Sequence, residues 1–202
     1  MNPVLRVRPL DPPYCGDQGG WWPDVSHQNQ PAIEEPDVLT LAIIDGMGHG
    51  ADAEQSALIA KSYIAQHCHE LDLTQIITGC DTVLRRTRGA TMVIGRVDYQ
   101  QHLFSFAGIG NCSALIYRSD HSSVRLVSDI GIVGVGFSRL LVESMPIQSG
   151  DLIVLHTDGI RSRMHFNNYG SAILGDSSRL ADTIMADWGK QIDDAAVLVV
   201  QI

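Results

Sequence analysis

Along the chain, short and densely apolar runs are separated by stretches in which apolar residues recur with helical spacing. Val38 to Ile44 is nearly continuous in apolar residues and ends at Asp45-Gly46, which predicts a buried strand followed by a tight turn. From Ala51 the period changes. Ala53, Ala57, Ala60, Ile64 and Leu71 recur at three, four or seven residues and give a helix one apolar face. A second helix is expected from Leu73 to Arg86, with Ile76, Ile77, Cys80, Val83 and Leu84 inward. Ala90 to Val97 and Leu103 to Ala107 read as strands joined by the turn Asp98-Tyr99-Gln100-Gln101. Further strands fit Ser113 to Tyr117, Val124 to Val127 and Leu152 to His156, the last preceded by the turn Ser149-Gly150-Asp151. Leu180 to Trp188 reads as a helix and Ala195 to Ile202 as a final strand. Strands clustered as hairpins, with two helices together early on, suggest an α+β protein with largely antiparallel sheets.

Pro12 to Asp37 breaks this pattern. It holds Pro12, Pro13, Pro23, Pro31 and Pro36 with Gly16, Gly19 and Gly20, and reads as a long irregular connection. Its pair Trp21-Trp22 is expected to have at least one ring buried.

Composition narrows the function classes. With 202 residues and 45% hydrophobic content, the chain suffices for one sizeable core, and residues 1–202 are expected to form a single domain. The net charge of -9, from 23 acidic and 14 basic residues, argues against a nucleic-acid-binding surface. No run approaches the roughly 20 apolar residues of a membrane span, and Met1 to Leu10 has no signal-peptide pattern. Cys15, Cys68, Cys80 and Cys112 form no C-x-x-C pair. The expectation is a soluble, reduced, cytoplasmic protein that meets neither membrane nor nucleic acid.

The candidate chemistry lies in acids at strand ends. Asp45 closes one apolar run, Asp158 closes another, and Asp193-Asp194 opens the last. Asp17 adds a further acid from the irregular segment. Asp-Gly is also a common turn dipeptide, because Asp caps turns and Gly takes positive φ. Its occurrence with three buried runs favours a shared site. Carboxylates gathered at one sheet edge cannot all stay ionised without cations, and an all-oxygen set suits Mg²⁺ or Mn²⁺. Two such ions about 4 Å apart would activate water for in-line attack on phosphorus.

These residues resemble a known family. Asp45-Gly46-Met47-Gly48-His49-Gly50 with the Ala-rich helix after it, Thr157-Asp158-Gly159 and Asp193-Asp194-Ala195-Ala196 are similar to the motifs of PPM (type 2C) serine/threonine phosphatases, in the bacterial SpoIIE and RsbX branch. Gly108-Ile109-Gly110-Asn111 and Ser149-Gly150-Asp151 fall in the same order. The resemblance implies a four-layer αββα sandwich, two antiparallel sheets flanked by helices, with two divalent metal ions (Mn²⁺ or Mg²⁺) at one end. Carried over, Asp45 would bridge both ions, the Gly46 carbonyl would complete one sphere, Asp158 and Asp193 would hold an ion, and Asp17 would reach metal directly or through water. Asp45, Asp158 and Asp193 are then the catalytic acids, and Asp194 has a supporting role.

The chain also departs from the pattern. Ala196 replaces a hydroxyl residue, and Met47 stands where many relatives carry a His. His49 reads either as a proton donor in its place or as a solvent-exposed loop residue. No upstream Arg suggests itself as a phosphate clamp, Arg6 and Arg8 reading as strand surface, so the amides of Gly48 to Gly50 could receive an anion instead. Arg85, Arg86 and Arg88 read as cations closing the second helix. His67 and His69 read as solvated. The implied substrate is a phosphorylated STAS-domain stressosome protein. Alternatives are a phosphorylated anti-sigma-factor antagonist, or a non-catalytic pseudophosphatase that docks a phosphoprotein.

Overall fold

The computed structural model describes residues 3–23 and 37–202. Among them, the chain runs through strands β1 (Val4–Arg8), β2 (Asp17–Trp22) and β3 (Val38–Gly46), then helices α1 (Ala51–His67) and α2 (Leu73–Leu84). Strands β4 (Ala90–Asp98), β5 (Leu103–Ile109), β6 (Ser113–Tyr117), β7 (Ser123–Val127), β8 (Gly131–Ile132), β9 (Gly136–Phe137), β10 (Val142–Pro146) and β11 (Leu152–His156) follow. Helices α3 (Ser171–Leu174) and α4 (Ser177–Trp188) precede the last strand, β12 (Ala195–Gln201). One sheet has the order β1-β12-β11-β6-β7, the other β10-β5-β4-β3-β2, and β8-β9 form a small ribbon. Every pairing between these strands is antiparallel.

Three apolar clusters show how the layers stack. Leu39, Leu41 and Ile43 of β3 meet Ile153 and Leu155 of β11 and Leu198 and Val200 of β12 between the sheets. The alternate residues Ala42 and Ile44 turn towards Ala57, Ala60 and Ile64 of α1 and Ile76, Ile77 and Cys80 of α2. On the outer side of the other sheet, Val154, Val197 and Val199 pack on Leu180, Ala181 and Ile184 of α4. The order is therefore helix, sheet, sheet, helix, as the resemblance implies. It explains why β3, β11 and β12 read as continuous apolar runs: both faces of each strand are covered.

Local chemistry sets the helix ends. Asp72 and Gln75 form a reciprocal capping box at the start of α2, and Asp176 caps α4. The buried face of α1 is small, with Ala53, Ser56, Ala57 and Ala60, so its backbone lies close against β2 and β3.

Several expectations need correction. The Pro12–Asp37 segment is not irregular throughout: Asp17–Trp22 is an edge strand in register with β3, while residues 24–36, with Pro31 and Pro36, lie outside the described residues. Trp21 and Trp22 are both half-buried, one against the inter-sheet core and one against the α1–α2 layer, and neither is enclosed. Val83 is 40% exposed rather than inward. Helix α1 stops at His67, short of Leu71. His67 is half-buried against the Tyr63 ring, whereas His69 is exposed. Strands β8, β9 and β10 and helix α3 were not foreseen as elements; the burial pattern of β10 has no alternation to betray it. Among the described residues, no helix is long and apolar enough to cross a membrane.

Candidate active site

Asp17 is the first residue of β2 and pairs in register with Asp45 near the end of β3. On its other side Asp45 pairs with Thr91 of β4. Asp158 follows β11, and Asp193 and Asp194 precede its partner β12. The two sheets thus bring these acids to one end of the sandwich.

Side-chain bonds join the two sheets there. The Thr157 hydroxyl donates to Asp17 Oδ2 at 2.5 Å and accepts the Ala196 amide hydrogen at 3.0 Å. Asp194, 7% exposed, accepts the amide hydrogens of Leu10 at 2.6 Å and Gly16 at 2.7 Å. The Gly16 carbonyl in turn accepts from the Gly46 amide at 2.9 Å. A chain of bonds therefore runs from Asp194 through Gly16 to Gly46 at the end of β3.

The two Asp-Gly glycines admit close backbone neighbours. Neither Gly46 nor Gly159 has positive φ. A Cβ on Gly46 would stand 2.0 Å from the Ala53 carbonyl oxygen of α1, and one on Gly159 1.8 Å from the Asp194 carbonyl oxygen. Each glycine lets another backbone approach directly behind a candidate acid. Asp45-Gly46 is the end of β3 rather than a turn, which corrects that expectation, whereas Asp158-Gly159 is a turn, closed by the Ile160 amide on the Thr157 carbonyl oxygen at 3.2 Å.

The electrostatics are those of crowded carboxylates. Burial, then the charge of Asp45, pushes Asp17 up to about 8, against the opposing hydrogen bond from Thr157. Burial, then Asp158, Asp193 and Asp194, pushes Asp45 up to about 7, opposed by a hydrogen bond with Asn111. Asp193 is raised by burial and Asp158, with Lys190 opposing. Among the described residues, none of the five forms an ion pair with Lys or Arg. Nor do three His, Cys, Asp or Glu side chains there close into a ready-made ligand cluster. The acids act on one another across the end of the sandwich without gripping a single point. Mutually repelling, oxygen-only donors, buried or half-buried and held by no salt bridge, fit hard divalent cations by their chemistry.

Other foreseen residues separate from this centre. His49 is exposed, in the turn between Gly48 and Gly50, whose φ values are 90° and 77°. Arg88 does not close α2, which ends at Leu84. It lies over that turn, with Nη1 on the His49 carbonyl oxygen at 3.4 Å and Nη2 on Asp52 at 2.7 Å. Arg6 is engaged by Asp182 and Ser178, and Arg8 by the Lys190 carbonyl oxygen. Asp151 is fully buried and accepts from Arg118, Ser119 and Gln148, so it secures the turn before β11. Ala196 packs in the inter-sheet core.

Thr157, Thr91 and Asn111 were not singled out from sequence. Thr91 donates to Asn111 Oδ1, placing the Asn111 amide beside Asp45. The sequence held a signal for Thr157 and Asn111, since both sit inside quoted motifs. For Thr91, in mid-strand, it held none.

The family model for Stage II sporulation protein E (SpoIIE) matches residues 35–202. The chain is 25% identical over 122 residues to the phosphoserine phosphatase RsbX of Bacillus subtilis (strain 168), 60% of this chain and 61% of that protein's length. It is similar to a structure solved in work on the bacterial stressosome as a modular system adapted to control secondary messenger signalling. There the TM-score is 0.80 and the identity 28%, over 98% of this chain and 97% of the other. A structure of RsbX in complex with magnesium superposes with a TM-score of 0.78 at 18% identity, over 98% and 94% of the two chains.

Proposed function

The chain belongs to the SpoIIE family, and from that premise we propose that it is a metal-dependent phosphatase of phosphoserine or phosphothreonine in a protein. The observation that carries this reading is the register pair of buried Asp17 and half-buried Asp45, raised to about 8 and about 7 with no cationic partner among the described residues. Asp17, Asp45, the Gly46 carbonyl, Asp158 and Asp193 would hold two Mg²⁺ or Mn²⁺ ions. When bound, these ions supply the Lewis acidity that activates water and offsets charge on the phosphoryl group.

The chain's own groups do the positioning. Thr157 fixes which Asp17 oxygen stays free, by occupying Oδ2. Asn111 orients Asp45, and Asp194 holds the backbone before Asp17. Hydrolysis needs no cysteine nucleophile. All four cysteines are buried; burial pushes Cys15 up to about 12 and Cys112 well above the usual thiol range, which keeps both protonated.

The substrate we favour is a phosphorylated STAS-domain protein of a stressosome, supported by the likeness to RsbX and to the stressosome-associated structure. A phosphorylated anti-sigma-factor antagonist is the competing substrate. The deciding experiment offers both phosphoproteins to the purified chain with Mn²⁺ or Mg²⁺, alongside p-nitrophenyl phosphate. Release of phosphate that stops with EDTA and in Asp45→Asn supports the reading. Metal binding without any hydrolysis supports a non-catalytic docking module.

A further inference from the structure

A cleft of about 480 Å³ opens beside Asp158 and reaches Asn111, the residue that bonds Asp45. Arg161, Arg163 and Lys190 line it together with Trp188. Its walls are tied by backbone bonds. The Arg161 amide donates to the Trp188 carbonyl oxygen at 2.9 Å, and the Lys190 amide to the Gly159 carbonyl oxygen at 2.7 Å. Arg125 donates to the carbonyl oxygens of Ser162 and Met164, fixing the segment that carries the two arginines. The Trp188 ring meets His165 edge-on at 5.1 Å.

The cations outnumber the acids of the cleft: Arg161, Arg163 and Lys190 share it with one lining carboxylate, Asp158, and Lys190 also feels Asp193. Arg6, Arg88, Arg118, Arg139 and Arg179 each face an aspartate. Among the described residues, Arg161, Arg163 and Lys190 have no ion pair, in a chain of net charge -9. Like charges gathered in a fixed cleft repel one another, and their field is focused outward by the walls. An anionic occupant would resolve that repulsion. Three cations are too few for a nucleic-acid track. The phosphoryl group itself belongs at the acid centre, so the cleft next to it receives what flanks the phosphorylated residue.

We propose that this cleft docks an acidic segment, carrying Asp or Glu beside the phosphoserine or phosphothreonine, of the phosphoprotein substrate; the proposal rests on the phosphatase reading above. Arg161, Arg163 and Lys190 select substrates by charge and Trp188 forms an apolar wall.

The test compares two phosphoserine peptides that differ only in flanking Glu or Gln, with the Mn²⁺-loaded full chain. The wild type is expected to favour the Glu peptide through KM by about fivefold, the scale of two exposed ion pairs. The preference should shrink as salt rises from about 0.05 M to about 0.5 M. Arg161→Gln/Arg163→Gln, which keeps Lys190, should lose most of that preference, with kcat kept and the rate on p-nitrophenyl phosphate, which has no flanks, as in the wild type. Equal kcat/KM for both peptides in the wild type, or a preference undiminished in the double variant, overturns the docking site. If the wild type hydrolyses neither peptide nor p-nitrophenyl phosphate, the phosphatase reading fails instead. Fluorescence anisotropy of the labelled Glu peptide then judges the cleft alone: binding lost in the double variant supports it, and binding equal in both chains overturns it.

Discussion

Thr157 and Asp17, 140 residues apart in sequence, are joined by a 2.5 Å hydrogen bond that ties the end of β11 to the start of β2. The same hydroxyl accepts from the Ala196 amide, so one side chain spans both sheets at the acid centre.

Replacing that hydroxyl by a methyl tests its role. Thr157→Val keeps the shape but strands a buried amide and frees Asp17 Oδ2. We expect a stability loss of about 1–3 kcal/mol and a fall in kcat, with Thr157→Ser close to wild type. Urea unfolding and phosphopeptide kinetics would show it; a Val variant equal to wild type in both refutes the positioning role.

Asp45→Asn should separate activity from stability. Loss of the carboxylate removes a ligand, so hydrolysis should fall at least about a thousandfold, a loss of about 4 kcal/mol in transition-state stabilisation. The metal-free variant should nevertheless melt no lower than wild type at pH 8, because a buried repulsion has gone. Thermal melts in EDTA beside activity in Mn²⁺ give the two readings.

The metal-free protein should lose stability as pH rises. Folded Asp17 and Asp45 hold their protons up to about 8 and about 7, whereas the unfolded chain releases them near 3.8. Between those values the folded state binds more protons, so stability is full below the unfolded value and is lost as pH climbs through about 7 to about 8. Melting temperatures in EDTA should therefore fall from pH 5 to pH 9, and Asp17→Asn should flatten the slope. A melting temperature that rises over this range would contradict the assigned crowding.

Gly46→Ala should be severely destabilising, by about 3 kcal/mol or more, since its Cβ would overlap the Ala53 carbonyl. Gly50→Ala meets open space and is strained only by its φ of 77°, so it should cost less, about 1–2 kcal/mol. Chemical denaturation of both variants ranks them, and a milder Gly46→Ala would show that α1 can move away from the end of β3.

Much of this was legible in the chain. The doubly covered strands β3, β11 and β12 announced themselves as apolar runs, and α1, α2 and α4 by helical spacing or apolar density. Asp45, Asp158 and Asp193 stood out because each adjoins such a run. Asp17 was seen, but its strand was not. Gly19 and Gly20 remove the side chains that would carry a period, and a Cβ on Gly19 would stand 2.9 Å from the Ala42 carbonyl oxygen. Strand β10 stayed silent because its residues are largely exposed.

By itself the sequence determined most of the strands and helices and the residues able to carry oxygen-donor chemistry, since burial pattern and donor type are properties of local residues. Tertiary structure alone decided that Asp17 faces Asp45, that Thr157 bridges the sheets, and that Asp194 anchors Gly16. It also decided that Arg161, Arg163 and Lys190 share one cleft. These relations depend on strand register and on the stacking of two sheets. Both are fixed by contacts between residues far apart in the chain, which no local pattern encodes.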